Sequence, residues 1–259
     1  MAGAAMQNSD NWDFHWRSLE PVTNALPSQA FRHRIVVREV IRVSPHGILD
    51  VGCGQGDLLE RLSRHFDPQL LAGIEQSAIG VQTAIKKVPQ ADIHHFNLLS
   101  EGPSLIAHNF ECLTCVEVLE HVDDPVKFLR SAITHLLPGG RCVITVPSGP
   151  RTAFDISIGH RRHFNKHDLR SILDAVGLVN IRVRRVGFPF FDLYRLVVLL
   201  RGRKLVSAVV DSSLDQSKVA RFVMLAFSLL LRVNPNFIPF GLQLIATADK
   251  PVSQIKACQ

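Results

Sequence analysis

The stretch from Ile48 to Leu62 constrains this chain more than any other. It reads Ile48-Leu49-Asp50-Val51, then glycines alternating at 52, 54 and 56, then a helical pattern through Leu58, Leu59 and Leu62. The apolar segment suits a buried strand end. Glycine lacks a Cβ, so the turn can adopt positive φ and let a ligand come close to the backbone. A strand, a glycine turn and a helix start together form a nucleotide-type binding corner. The spacing is G-x-G-x-G, not the dinucleotide G-x-G-x-x-G, and no Lys-Ser or Lys-Thr comes after it to hold a phosphate and its metal. Asp50 sits just before the turn, where it would repel a pyrophosphate and attract a cationic ligand. A single tight turn with no ligand is the plain alternative, so the weight falls on the residues downstream of it.

Leu71-Ala72-Gly73-Ile74-Glu75 is a second short apolar run ending in an acid. A carboxylate at the end of a second strand can accept hydrogen bonds from ribose hydroxyls. Gly80 to Lys87 reads as a helix, and His94-His95-Phe96-Asn97 closes a third segment. A fourth strand, Phe110 to Val116, runs into Glu117-Val118-Leu119-Glu120-His121, and a fifth covers Arg141 to Pro147. Alternating strands and helices over 46–147 predict a parallel doubly wound α/β sheet, with ligands beyond the carboxyl ends of the strands.

On these residues the chain resembles class I S-adenosylmethionine-dependent methyltransferases. The segment Glu117 to Val122 with Asp124-Pro125, and His160-Arg161-Arg162-His163-Phe164 before a helix and Gly177-Leu178, are closest in motif to the ubiquinone-biosynthesis O-methyltransferases. The resemblance implies a Rossmann-like α/β fold: a seven-stranded, mostly parallel sheet with an antiparallel last strand, an N-terminal helical cap and a helical insertion before the last strand. It also implies S-adenosylmethionine as cofactor, whose ammonium and sulfonium give Asp50 a purpose. The cofactor residues it points to are Asp50, Gly52, Cys53, Gly54, Gly56, Glu75, Gln76, Asn97, Leu98, Cys115 and Glu117. Some relatives associate a divalent metal such as Mg with the Glu-Glu-His of this segment, here Glu117, Glu120 and His121; many keep the segment with no metal. The alternative is that Glu120 and His121 organise a helix start.

At 259 residues the chain fits one large domain that easily buries a core. The expected organisation is a helical cap over 1–45, a cofactor-binding core over 46–187, a helical substrate-cap insertion over 188–237 and the last core strand over 238–250. In the cap, Trp12 and Trp16 share one helix face. In relatives such helices lie over the cofactor and substrate mouth; simple docking on the core is the other reading. The five cysteines are odd in number, and Cys112-x-x-Cys115 would place its thiols on opposite faces of a strand. Reduced buried thiols, a start without a signal-peptide pattern, and no apolar run of about 18 residues suggest a cytoplasmic protein without a membrane-spanning helix.

Methyl transfer to a hydroxyl needs a base, and histidine is the usual one. His121 follows the fourth strand, while His160 and His163 lie in the loop after the fifth, facing the acceptor in this fold. The insertion departs from the quinone enzymes, replacing a short turn by about fifty residues. It is rich in Phe and Leu and punctuated by Arg195, Arg201, Arg203 and Lys204, which predicts two or more amphipathic helices. Those helices either cover an apolar or aromatic small-molecule acceptor, lie on a membrane surface, or form a dimer interface. The net charge of +6 brings no nucleic-acid module with it, so nucleic acid is not expected. N- or C-methylation, another reaction using the same cofactor, and a non-catalytic cofactor- or partner-binding role remain alternatives.

Overall fold

Ile48–Val51 (β1) is buried along its whole length, as a central strand covered by helices on both faces should be. A computed structural model describes residues 12–13, 16–17, 27–99, 110–210, 218–235 and 238–252, without the side chains of 201–210 and 218–223. Cys258 and the side chains of Arg201, Arg203 and Lys204 lie outside these described residues, as do residues 1–11, 14–15 and 18–26 of the 1–45 cap. β1 pairs in parallel with Leu71–Glu75 (β2) on one side and Phe110–Val116 (β4) on the other. Asp92–His95 (β3) continues beyond β2, and Leu136–Pro147 (β5) beyond β4, both in parallel. Gln243–Asp249 (β7) inserts antiparallel between β5 and Val179–Val186 (β6). The seven-stranded order is β3-β2-β1-β4-β5-β7-β6, with the last strand antiparallel as expected. Strand order reverses between β1 and β4, which opens a crevice at their carboxyl ends.

The helices follow their sequence signals. Pro27–Val43 (α1) buries Phe31, Ile35, Val36 and Val40, which fall on one stripe, and starts at a proline that needs no helix donor. Fully burying such a side chain stabilises the fold by about 1.5–3 kcal/mol. Asp57–Leu62 (α2) follows the glycine turn. Ala78–Lys87 (α3) is capped by Ser77, whose hydroxyl accepts the Gly80 N–H. Pro125–Ala132 (α4) is capped by Asp124. Asn165 and Asp168 form a reciprocal capping box on Lys166–Ala175 (α6). Within the segment read from sequence as loop, Ala153–Ser157 forms a short helix (α5), capped reciprocally by Thr152 and Asp155. Among its described residues the insertion contains two helices, Phe190–Val210 (α7) and Lys218–Arg232 (α8).

Two apolar layers cover the two faces of the sheet. Leu49, Leu113, Cys115 and Ile144 pack in one; Ile48, Cys112, Val143 and Ile245 pack in the other with α1. Cys112 and Cys115 therefore do lie on opposite faces, as strand alternation requires. Both are free and buried.

Candidate active site

The glycine corner is held by its neighbours rather than by its own side chains. The N–H groups of Gly52 and Cys53 both donate to the Ile74 carbonyl, at 2.8 and 3.1 Å, tying the turn to the end of β2. Glu75 is buried and bridges the corner: one carboxylate oxygen accepts the Gly54 N–H at 2.9 Å and the other the Ser77 N–H at 2.8 Å. Burial raises its pKa, against those hydrogen bonds. Each oxygen keeps a further lone pair for a ligand hydroxyl. Gly54 has φ +54°, and a Cβ there would lie 2.6 Å from the Trp16 ring. Gly56, at φ +79°, forms the left-handed entry to α2 and packs so closely on Ala84 that a Cβ would approach its Cβ to 2.9 Å. The corner is a cradle that any side chain would fill.

Asp50 lies beneath this corner, buried, with its carboxylate accepting the Thr114 hydroxyl at 2.7 Å. Burial pushes its pKa up to about 7, partly opposed by Thr114 and reinforced by the nearby Glu75. A cationic ligand would favour its charged form. Asn97 follows β3, and its side-chain oxygen accepts the Leu99 N–H at 2.9 Å. Gln76 is exposed at the end of β2, its carbonyl 2.9 Å from the His95 ring nitrogen. Leu98 and Cys115 are core residues in the structure, and Cys53 turns its thiol toward Gly73.

The N-terminal segment closes over this corner. Trp16 covers Gly54, and its indole nitrogen would lie 3.3 Å from a Cβ at Gly80. The Asp13 carboxylate accepts the Ser77 hydroxyl and, at 3.3 Å, the Ile79 N–H at the start of α3. Trp12 stacks edge-on against His121 with ring centres 4.9 Å apart. No local pattern marked Asp13 as a contact, because its partners lie more than sixty positions away in the chain.

Beside Trp12 the three histidines come together. His121 and His160 are edge-to-face at 4.7 Å, and His160 and His163 at 5.2 Å. His163 Nδ1 is 3.0 Å from the Gly149 carbonyl, which can only accept, so this nitrogen carries the proton. Its Nε2 then accepts from His160 Nδ1 at 3.0 Å, which leaves His160 Nε2 with a free lone pair. Burial lowers the pKa of both rings and keeps them neutral. Behind them Asp155 receives both terminal nitrogens of Arg195, at 3.0 and 3.1 Å, and the Thr152 N–H at 2.7 Å. Sequence reasoning missed Asp155 and the role of Arg195; the Thr-x-x-Asp capping pattern was the only signal.

The structure redistributes the expected metal set. Glu117, at φ +57°, turns its carboxylate to Thr145 at 3.0 Å, Gln243 at 2.7 Å and Arg32 at 3.4 Å. Glu120, His121 and His160 instead bring one ligand atom each within 4.8 Å of one another. Glu120 is fully buried, and neither of its oxygens has a hydrogen-bond partner among the described residues. Burial first, and then the neighbouring Glu117 charge, raise its pKa well above the ordinary carboxylate range. Two imidazoles and one carboxylate do not suit Mg, which prefers oxygen ligands and retained waters; they suit a zinc-class ion.

Comparison with known proteins places this geometry in a family. A methyltransferase-domain family model matches residues 28–183. Curated relatives include the ubiquinone biosynthesis O-methyltransferase of Coxiella burnetii, 29% identical over 108 residues, or 40% of this chain and 45% of that protein. The protein of the same name from Aeromonas salmonicida is 31% identical over 43% of this chain and 48% of its own length. The chain thus spans about half the length of the curated relatives it matches. Among solved structures, a Thermotoga maritima S-adenosylmethionine-dependent methyltransferase, described as a possible histamine N-methyltransferase, aligns at TM-score 0.57 and 15% identity over 91% of this chain and 99% of its own. Haemonchus contortus phosphoethanolamine N-methyltransferase 2, solved with S-adenosylmethionine, aligns at 0.54 and 18% over 84% of this chain and 52% of its own. These two likenesses speak for the fold. With the family model covering more than half of its residues, this chain belongs to the methyltransferase-domain family.

Proposed function

We propose that the protein transfers a methyl group from S-adenosylmethionine to an oxygen of a small apolar or aromatic acceptor, with His121 as the base at the acceptor side. The observation that carries this reading is the histidine cluster beside the cofactor corner: His121 lies between Trp12 and His160, and His160 is held by His163. Bound in the corner, the cofactor supplies an electrophilic methyl group. The chain's own residues do the rest. Glu75 and the Gly54 main chain would orient the donor, Asp50 would favour its positive charge, and His121 would take the acceptor proton as the methyl group passes from the donor's sulfur to the acceptor oxygen. The buried His160 and His163 hold the ring of His121 in place, and burial, by lowering the pKa of both, makes them the poorer proton acceptors. Similarity to relatives named ubiquinone biosynthesis O-methyltransferases, 29% and 31% identical over somewhat less than half of this chain, supports an oxygen acceptor over nitrogen. A reducing, cytoplasmic setting fits the free, buried cysteines.

The bare Glu120 carboxylate favours a second reading, in which Glu120, His121 and His160 hold a zinc-class ion that polarises the acceptor oxygen. One experiment separates the two. Isotope-labelled cofactor is incubated with an extract of the source organism, with wild type and with His121→Ala, His160→Ala and His163→Ala. Loss of about a hundredfold in turnover for His121→Ala, with cofactor affinity intact and no response to chelator, supports the base. Full turnover in His121→Ala would refute it. Activity removed by chelator and restored by zinc, with metal recovered in wild type but not in Glu120→Gln, supports the ion.

A further inference from the structure

Helix α7 carries its polarity inside out. Its two charged residues near the start both turn toward the protein: Asp192 accepts the Leu242 N–H at 2.8 Å, and Arg195 makes its two-pronged bridge to Asp155 with only 13% of its side chain exposed. Leu193, Leu196 and Leu200 face outward, the last 78% exposed. Their spacing puts them on one stripe of the helix. Helix α8 runs beside α7, with Tyr194 against Phe227 at 5.4 Å and the Phe190 N–H donating to Asn234 at 3.1 Å. Its inner face buries Phe227 and Leu231, while Leu225, Leu229 and Val233 form a second outward stripe, Val233 69% exposed. Ordinary surface helices show the reverse pattern. Two adjacent outward apolar stripes exceed the scattered single leucines that a water-facing surface carries.

Charge selects the occupant. Leaving aside Asp192 and Arg195, which are both paired inward, the insertion from 196 to 237 holds six basic residues (Arg201, Arg203, Lys204, Lys218, Arg221 and Arg232) and two acidic ones (Asp211 and Asp215). A second copy would bring an equally basic segment against this one, which disfavours a face-to-face dimer. An anionic bilayer attracts such a segment and accepts its leucines at the headgroup boundary. Among the described residues no helix is long and apolar enough to cross a membrane, so the contact would lie in the plane of the surface.

We infer that the outward faces of α7 and α8 dock this protein on an anionic phospholipid bilayer. The inference does not depend on the methyl acceptor. The test is co-sedimentation of the full chain with vesicles of equal parts phosphatidylglycerol and phosphatidylcholine, and with vesicles of phosphatidylcholine alone. Binding should be about tenfold or more stronger to the anionic vesicles and should weaken as salt rises. The double variant Leu200→Glu/Leu229→Glu should lose about tenfold or more of that binding while keeping its circular dichroism and cofactor affinity. Absence of binding to anionic vesicles would overturn the inference, as would binding that survives the double variant. A dimer seen by light scattering and dissociated by the same variant would assign the face to a second copy and overturn it equally.

Discussion

Replacing Glu75 tests the cofactor corner most directly, because this side chain both builds the corner and stands where a ribose would be received. In Glu75→Ala the N–H groups of Gly54 and Ser77 lose their charged acceptors, at 2.9 and 2.8 Å. A hydrogen bond to a charged group contributes about 1.5–3 kcal/mol, so the gross loss is about 3–6 kcal/mol. Part is returned, since burial penalises this carboxylate, as its raised pKa records. The net fall in stability is then about 2–3 kcal/mol, survivable for a domain of this size. The ligand loses a separate hydrogen bond of similar strength, so affinity should fall by about 10- to 150-fold. Glu75→Gln should lie between wild type and Ala: its carbonyl keeps one of the two loop contacts, while its amide places a donor against the other N–H. The assay is calorimetric titration with S-adenosylhomocysteine, alongside urea denaturation to separate binding from folding. Affinity unchanged in a folded Glu75→Ala protein would refute the assignment, and so would a Gln variant weaker than Ala.

Two further outcomes are expected. The chain has two tryptophans, Trp12 and Trp16, and both lie in the segment covering Gly54 and His121, so intrinsic fluorescence should shift when S-adenosylhomocysteine is added and the shift should be largely lost in Trp16→Phe; a spectrum indifferent to ligand at saturation would place Trp16 away from the crevice. Asp50 has its pKa raised from 3.8 to about 7, so the fold favours its protonated form: its contribution to stability is full below pH 4 and lost as pH rises to about 7, by at most about 1.4 kcal/mol per pH unit. Cofactor affinity, which favours the charged carboxylate, should rise over the upper part of that window. Denaturation and titration at pH 5 and 8 should show both trends diminished in Asp50→Asn, and equal pH dependence in the two proteins would reject the role.

The glycine corner and the order of strands and helices were legible along the chain because each is a local pattern, whereas the antiparallel last strand was implied by the family resemblance and rests on pairings distant in the chain. Alternating burial, turn glycines and capping residues such as Ser77, Asp124 and Asn165 act within a few positions. The histidines were legible as types that carry proton chemistry, and their meeting came from the loops at one end of the sheet. Their roles were not. Glu117 and Glu120 stand three apart in one segment, yet the turn at Glu117 sends its carboxylate to Thr145, Gln243 and Arg32, while Glu120 is left bare beside His121 and His160. That choice depends on partners from α1, β5 and β7, which no local pattern contains. Likewise, the apolar, helical character of the insertion is written in consecutive residues and could be read from them alone. Which face of those helices turns inward was settled by contacts distant in the chain: Asp192 and Arg195 find their partners in Leu242 and Asp155, and that pairing turns the leucines to the outside.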